Sequence, residues 1–326
     1  MDKYCDACPR GCRVDRAAGQ LGFCGCGDTA HLTRASLHKW EEPTVSGTCG
    51  SGTLFFSGCS LRCVFCQNRD ISRSEKGRAM SATELADAML ALRQAGAHNV
   101  NLVTPTHYIE TVTKALELVK PSLGIPVVYN CGGYESQRSL ERLDGLVDVY
   151  LPDLKYFSSE LSARYSAAPD YFRVASAALA EMYRQVGRAT FAPYLGGNKD
   201  AKGACDTSTL RFAEEEGDLI VKGVIVRHLV LPGCRKDSMQ LLEALASLLP
   251  VGNIRLSLMR QFTPDFVPRE EYPELCRRLT AFEYESVLKK ADELGFIGYS
   301  QSAEAASAEF TPEFCSAEAF ELLDKN

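Results

Sequence analysis

Gly58-Cys59-Ser60-Leu61-Arg62-Cys63-Val64-Phe65-Cys66-Gln67-Asn68 sets three cysteines at C-x3-C-x2-C spacing. The run before it, Gly52-Thr53-Leu54-Phe55-Phe56-Ser57, is short, apolar and aromatic, and reads as a buried strand. Gly58 permits a sharp exit from it. The thiols therefore stand on a tight loop after a strand, where α/β sheets gather their sites. Thiolates are the ligands of iron–sulfur clusters, and three of them on a four-iron cubane leave one iron open to a small molecule. Structural zinc takes four closed ligands, usually as two distant pairs. A third reading makes the cysteines small buried hydrophobes. The close trio, with no fourth Cys or His following nearby, favours the open cluster.

Outward from this loop, the chain alternates strand and helix. Ser81-Ala82-Thr83-Glu84 is a capping box ahead of Leu85, Met89 and Leu92, and Gly96 closes that helix. Strands are expected at 100–104, 126–130, 146–151, 224–231 and 254–259. Helices are expected at 109–119, 136–143, 170–187 and 237–249, with a second capping box, Thr280-Ala281-Phe282-Glu283, opening a helix to Gly295. Alternation of this kind implies a parallel sheet. A complete barrel has eight units over about 250 residues. Six units imply an α/β fold of the open, partial (β/α)6 barrel type, with a cysteine-rich N-terminal extension. The expected organisation is a metal-binding segment over 1–50, the barrel over 51–300 and a tail over 301–326. Within the barrel, 188–218 reads as an insertion of loop composition with a solvated Glu214-Glu215-Glu216 run.

Bulk properties narrow the classes. The chain has 326 residues, a formal net charge of −6 and no basic tract, so nucleic acid is not an expected partner. No apolar run reaches the ~20 residues of a membrane helix, and Met1-Asp2-Lys3-Tyr4-Cys5 has no apolar core, so neither membrane nor signal peptide is expected. Fourteen cysteines without such a signal argue for metal in a reducing cytoplasm. Nine of them precede residue 67, so the metal chemistry is front-loaded. Cys5, Cys8 and Cys12, with Cys24 or Cys26 to close the set, have the spacing of a second metal site, zinc or iron–sulfur. The rival reading there is a set of reduced cysteines without metal. Residues 31–51 read as a connecting segment, with Trp40 followed by the helix-ending Glu41-Glu42-Pro43 and an inert Cys49.

Polar groups recur where the apolar strands stop: Thr104-Pro105-Thr106-His107, Asn130-Cys131-Gly132-Gly133, Pro152-Asp153-Leu154-Lys155-Tyr156, His228 with Pro232-Gly233, and Arg260-Gln261. One such end reads as a turn. Six in series, counting the cysteine loop, read as the lining of a cavity mouth.

C-x3-C-x2-C after an early strand resembles the signature of the radical S-adenosylmethionine superfamily. Phe65 before the third cysteine and Gln67-Asn68 after it are similar to the pyruvate formate-lyase activating enzyme branch, and more narrowly to activase-like proteins with a cysteine-rich N-terminus. The resemblance covers nearly the whole chain. It implies that Cys59, Cys63 and Cys66 hold a [4Fe-4S] cluster whose open iron chelates S-adenosylmethionine. A low-potential electron, from a donor such as flavodoxin or ferredoxin, then cleaves the cofactor, and a 5′-deoxyadenosyl radical takes a hydrogen atom from the substrate, making the protein an oxidoreductase. Asp153-Leu154-Lys155 is similar to the activase motif whose Asp and Lys contact the cofactor. Asn130 corresponds to the Asn of their Thr-Asn-Gly motif, although Tyr129 and Cys131 replace its neighbours. Phe65, Gln67, Thr104, Thr106, Asn130, Asp153, Lys155 and His228 are the residues expected around the cofactor. His107 reads equally as a site contact or a helix-start residue, and Cys131 as a chance thiol or a reactive one. The activases carry Gly-Gly-Glu where this chain has Thr104-Pro105-Thr106. That departure leaves the substrate open between a glycyl radical enzyme and another protein, peptide or small molecule. A non-catalytic electron-transfer or zinc-binding module is the rival from another class.

Overall fold

A computed structural model describes residues 4–73, 75–193, 218–302, 305 and 312–324. Ten strands form one sheet. They are β1 (Ala30–His38), β2 (Ser51–Phe56), β3 (Arg78–Met80), β4 (Val100–Val103), β5 (Val127–Cys131), β6 (Val149–Pro152), β7 (Thr190–Pro193), β8 (Asp218–Leu229), β9 (Arg255–Met259) and β10 (Gly298–Ser300). The helices are α1 (Pro43–Ser46), α2 (Arg69–Ser72), α3 (Ala82–Gln94), α4 (Ile109–Leu123), α5 (Gln137–Glu141), α6 (Ser159–Ser166), α7 (Tyr171–Val186), α8 (Arg235–Leu248), α9 (Ala281–Glu293) and α10 (Glu321–Asp324).

The sheet order is β10-β9-β8-β6-β5-β4-β2-β1-β3, with β7 paired to β8. From β10 to β2 every neighbour is parallel. This is a mostly parallel open sheet of the partial-barrel kind, with both capping boxes formed as expected. It has one more parallel strand than expected, β10, whose three residues are too few to show a pattern. Residues 31–51 are not a mere connection. β1 runs antiparallel along β2, from Leu32 opposite Phe56 to His38 opposite Ser51. The tail also packs. Phe314 meets the ring of Phe55 edge-on at 5.2 Å, and Arg78 pairs with Asp324 at 2.9 Å. The expected insertion at 188–218 lies largely outside the described residues; its described edges form β7 and the start of β8.

Strand alternation divides the sheet into two faces. Leu54, Leu102, Tyr129, Tyr150, Val226 and Leu256 pack with the helices on the outer face, against residues such as Met89, Leu116, Leu179, Leu242 and Val287. The inner face carries a smaller apolar cluster, Val128, Val149, Leu151, Ile225 and Tyr299, and Val45 of α1 joins it. Asn99, just before β4, donates to the carbonyl of Val45 at 2.6 Å, and the hydroxyls of Thr44 and Tyr299 lie 2.6 Å apart. The short α1 therefore closes the end of the half-barrel where the strands begin. The sheet is strongly curled: four strands separate β2 from β9, yet Gln67 after β2 donates to the carbonyl of Gln261 after β9 at 3.1 Å. Among the described residues no helix is long and apolar enough to cross a membrane.

Candidate active site and its cysteine loop

The cysteine loop is held on all sides. Gly58 N–H donates to Ile71 at 2.7 Å and Val64 N–H to Tyr165 at 2.9 Å. Phe65 meets Phe262 edge-on at 6.2 Å. Phe65 and Gln67 thus dock the loop on the segment after β9, and their role in the structure is to span the mouth. Cys63 is buried and Cys59 and Cys66 are half-buried. Burial pushes the Cys59 thiol up, with Cys63 and Cys66 adding to the effect, and burial and Cys63 do the same to Cys66. Crowded thiols resist ionising unless positive charge stands among them. Lys155 supplies some, acting on both Cys59 and Cys66. Hydrogen bonds supply more: Leu61 N–H reaches Cys59 Sγ at 3.3 Å and the Ser166 hydroxyl reaches Cys63 Sγ at 3.0 Å. Among the described residues no three His, Cys, Asp or Glu side chains converge on a single ion. Three thiols on one docked loop, with donors aimed at the sulfurs of Cys59 and Cys63, suit thiolate ligands, so the residues present fit a [4Fe-4S] group.

Beneath the loop, the inner face turns polar. Arg227 on β8 donates through Nε to Asp153 Oδ1 at 2.9 Å and through Nη2 to Asn130 at 2.5 Å, and its Nη1 lies 3.4 Å from Glu41 Oε2. Lys155 Nζ sits 2.6 Å from Asp153 Oδ2. Asn101 and Asn130 both donate to Glu41 Oε1, at 3.0 and 3.3 Å. The four charged side chains are only 10–17% exposed. Burial pushes Asp153 up, but Arg227 and Lys155 outweigh it and hold the carboxyl below its usual range. Lys155, lowered by burial, is raised overall by Asp153 and by the thiol of Cys63. A ladder of alternating charge thus rises from the α1 end to the cysteines: Glu41, Arg227, Asp153, Lys155.

Glycine makes the mouth close enough to work. Gly133 has φ +74°, and a Cβ there would lie 2.2 Å from the carbonyl oxygen of Asp153. Tyr171 locks the same turn: its hydroxyl is 2.9 Å from the Gly132 carbonyl and 2.7 Å from that of Asp153, and it accepts from Lys155 N–H at 3.1 Å. Gly133→Ala is expected to cost at least about 2 kcal/mol, from the left-handed backbone plus a clash with rigid backbone. Urea unfolding of the variant beside wild type measures it.

Not every expected residue reaches this mouth. Thr104 does stand at the end of β4, with φ +60° and its N–H donated to Asn130 at 2.8 Å. Thr106 instead donates to Glu135 at 2.8 Å on the helix-covered side, beside Tyr129. His228 points the same way, because its strand neighbour Arg227 faces inward. Its ring nitrogens lie 2.7 Å from the Leu154 carbonyl and 2.9 Å from the Ser238 hydroxyl, and burial pushes its pKa down to about 4. It is a neutral, satisfied residue under α8. His107 is likewise buried, held by the Ser57 carbonyl at 2.6 Å. Glu41, Arg227, Tyr171 and Ser166 complete the mouth without having been singled out from the sequence.

Glu135 offers a test of this packing. Burial pushes its carboxyl from 4.5 to about 7, against the bonds from Thr106 and Tyr129. A folded pKa above the unfolded one adds stability below pH 4.5 that is lost as pH rises through about 7. A displacement of this size is worth about 3 kcal/mol. Wild type is expected to lose that much relative to Glu135→Gln between about pH 4 and pH 8, read by urea unfolding.

A curled, mostly parallel sheet thus carries a C-x3-C-x2-C loop after its first parallel strand and a charged mouth beneath it. Residues 53–203 match the model of the Radical SAM superfamily, and the cofactors this family implies are a [4Fe-4S] cluster and S-adenosylmethionine. The chain is similar to an uncharacterised protein of Methanocaldococcus jannaschii, 28% identical over 303 residues, covering 89% of this chain and 75% of that one. Among solved structures it is similar to SuiB of Streptococcus suis bound to the precursor peptide SuiA, with TM-score 0.47 and 12% identity over 81% of this chain and 52% of that one. Methylornithine synthase gives 0.45 and 18%, over 74% and 60%. The chain spans about half the length of SuiB.

Proposed function

We propose that the protein is a radical SAM enzyme that reductively cleaves S-adenosylmethionine at the mouth of its half-barrel and takes a hydrogen atom from a substrate presented there. The observation that carries this reading is the Lys155 ammonium on the inner face: its Nζ lies 2.6 Å from Asp153 Oδ2, and its Cε and the Leu61 side chain of the cysteine loop both come within 4.0 Å of where a Cβ on Gly132 would stand. The cluster, when bound, supplies the single electron that breaks the sulfonium C–S bond. The rest is the chain's own work. Cys59, Cys63 and Cys66 hold the cluster. Lys155, a compact cation beside it, suits the cofactor's carboxylate. Asp153 keeps lone pairs for ribose hydroxyls beyond those turned to Lys155 and Arg227. Thr104 and Asn130 flank the same opening. Arg227 and Glu41 act at one remove, fixing Asp153 and Asn130 in place, and the docked loop excludes water. A low-potential donor of the flavodoxin or ferredoxin kind would deliver the electron.

The test is anaerobic. Reconstituted protein, dithionite and S-adenosylmethionine are expected to yield 5′-deoxyadenosine. A fully loaded protein that neither binds the cofactor in equilibrium dialysis nor forms the product would overturn the reading.

A finer reading of the substrate, a glycine on a partner glycyl radical enzyme, is supported by the likeness of Asp153-Leu154-Lys155 and the Phe65 and Gln67 context to the activases. Mixed with such an enzyme from the same cell, the reduced protein is expected to raise a glycyl radical signal in it. Product formation without that signal would move the substrate to another protein, a peptide or a small molecule.

A further inference from the structure

The N-terminal segment is built around thiols that the radical reaction does not use. Cys5, Cys8, Cys12 and Cys24 all lie within its first 24 residues. A tight fold of backbone gathers them: Arg13 N–H donates to the Cys5 carbonyl at 3.1 Å, Cys5 N–H to Val14 at 2.9 Å, and Gly11 N–H to Cys8 at 3.1 Å. Donors point at two of the sulfurs, Phe23 N–H at Cys12 Sγ and Arg16 Nη2 at Cys24 Sγ, each at 3.2 Å. A Cβ on Gly22 would touch both sulfurs, at 3.7 and 3.4 Å. An independent observation comes from Arg16. Its Nε is buried and has no hydrogen-bond partner among the described residues, although the same guanidinium is held by the carbonyls of Gly27 and His107 at 3.0 and 2.7 Å. An unsatisfied buried N–H on a cation amid four thiols fits an acceptor of negative charge.

The same segment is fastened to the cysteine loop. Arg10 donates to the carbonyl of Ser60 at 2.8 Å and that of Ser166 at 3.1 Å, and also to Ala167. The Phe23 ring lies between the guanidinium groups of Arg10 and Arg62, at 3.9 and 4.3 Å. Arg62 Nη2 also donates to the Phe23 carbonyl at 2.8 Å. Gly58, with φ +79°, abuts Cys26 so closely that a Cβ would lie 2.2 Å from its sulfur.

We propose that Cys5, Cys8, Cys12 and Cys24 hold a second iron–sulfur cluster that Arg16 neutralises and that fastens the segment to the cysteine loop. A cluster held by four thiolates carries net negative charge, which is the chemistry Arg16 and Arg10 complement. The cluster needs the thiols deprotonated, and binding supplies the ordering energy that so short a segment lacks on its own.

Zinc, iron and sulfide are counted per chain on full-length protein purified without air. Wild type is expected to carry the about four irons of the first cluster plus about four further irons. The double variant Cys8→Ser/Cys12→Ser is expected to lose that addition alone, and Cys49→Ser to lose nothing. A triple Cys59→Ala/Cys63→Ala/Cys66→Ala variant is expected to keep the addition, so the result stands apart from the fate of the radical site and survives misfolding of the double variant. About one zinc in place of the further irons would overturn the second cluster. Wild type with no more than the first cluster, or a triple variant with no metal, would overturn the proposal. The fastening has its own readout: Arg10→Ala is expected to lose the first cluster to a chelator about tenfold faster, the equivalent of roughly one or two lost hydrogen bonds, and an unchanged rate would overturn that part.

Discussion

Cys63→Ala, purified and reconstituted without air, is expected to lose the about four irons and the sulfide of the first cluster, keeping the metal of the N-terminal segment, and to form no 5′-deoxyadenosine above the assay floor. Cys63 is the buried member of the trio. Its sulfur receives the Ser166 hydroxyl, and its charge is felt by Cys59, Cys66 and Lys155 alike. Removing it leaves two half-buried thiols, which cannot hold a four-iron cube, and strips Lys155 of a neighbour that raises it. The expected readouts are iron and sulfide per chain, loss of the cluster's visible absorbance and the product assay. Far-UV circular dichroism should remain that of wild type, because the loop also hangs on Gly58, Val64, Phe65 and Gln67. A Cys63→Ala protein with full iron and sulfide would mean that the cluster sits elsewhere.

Arg227→Met should produce the largest loss of stability. Methionine roughly fills the space of the stem and removes the charge. Asp153 and Glu41 then face each other's field without the cation that separates them, and Asn130 loses its donor. Breaking a buried pair by removing one partner costs about 3–5 kcal/mol, because the remaining charge stays desolvated. Adding Glu41→Gln should recover part of the loss, and the double-mutant cycle measures the coupling. The pH dependence carries a sign. In wild type, the lowered pKa of Asp153 contributes stability that is full above its ordinary value of 3.8 and fades as pH falls through the folded value. Without Arg227 that acid-side loss should shrink. Unfolding by urea across the acid range is the measurement, and a variant within about 0.5 kcal/mol of wild type would show that the ladder is not a unit.

Much of this arrangement was legible in the residues. Strands buried on both faces read as continuous apolar runs, so β2, β4, β5, β6 and β9 could be placed within a few residues, whereas β8 begins at Asp218, well before its apolar run. The capping boxes at Ser81 and Thr280 located two helices because their signal is local. The cysteine loop, Asn130, Asp153 and Lys155 could be placed at the ends of their strands from the same local patterns. What escaped was non-local. Arg227 and His228 are adjacent polar residues on an apolar strand, and composition does not say which faces inward; the Asp153–Arg227 bridge decides it. Glu41 meets Arg227 across 186 positions of sequence, and Glu41-Glu42-Pro43 reads locally as a stop signal rather than the base of an ion ladder. Thr106 was misplaced because a 3-10 turn at Thr106–Tyr108 follows Thr104 and rotates it onto Glu135. β1 was missed because half of its residues are only partly buried and its charged Arg34 interrupts the pattern.

The central claim is that three thiols hold a cluster with one iron open to S-adenosylmethionine, beside Lys155. Electron paramagnetic resonance of the dithionite-reduced protein, recorded with and without S-adenosylmethionine, tests it most directly. A reduced-cluster signal whose shape changes when the cofactor is added, with that cofactor-responsive component absent from Cys63→Ala, is the predicted result. A signal indifferent to the cofactor would contradict the account and leave a cluster without an open, cofactor-binding iron.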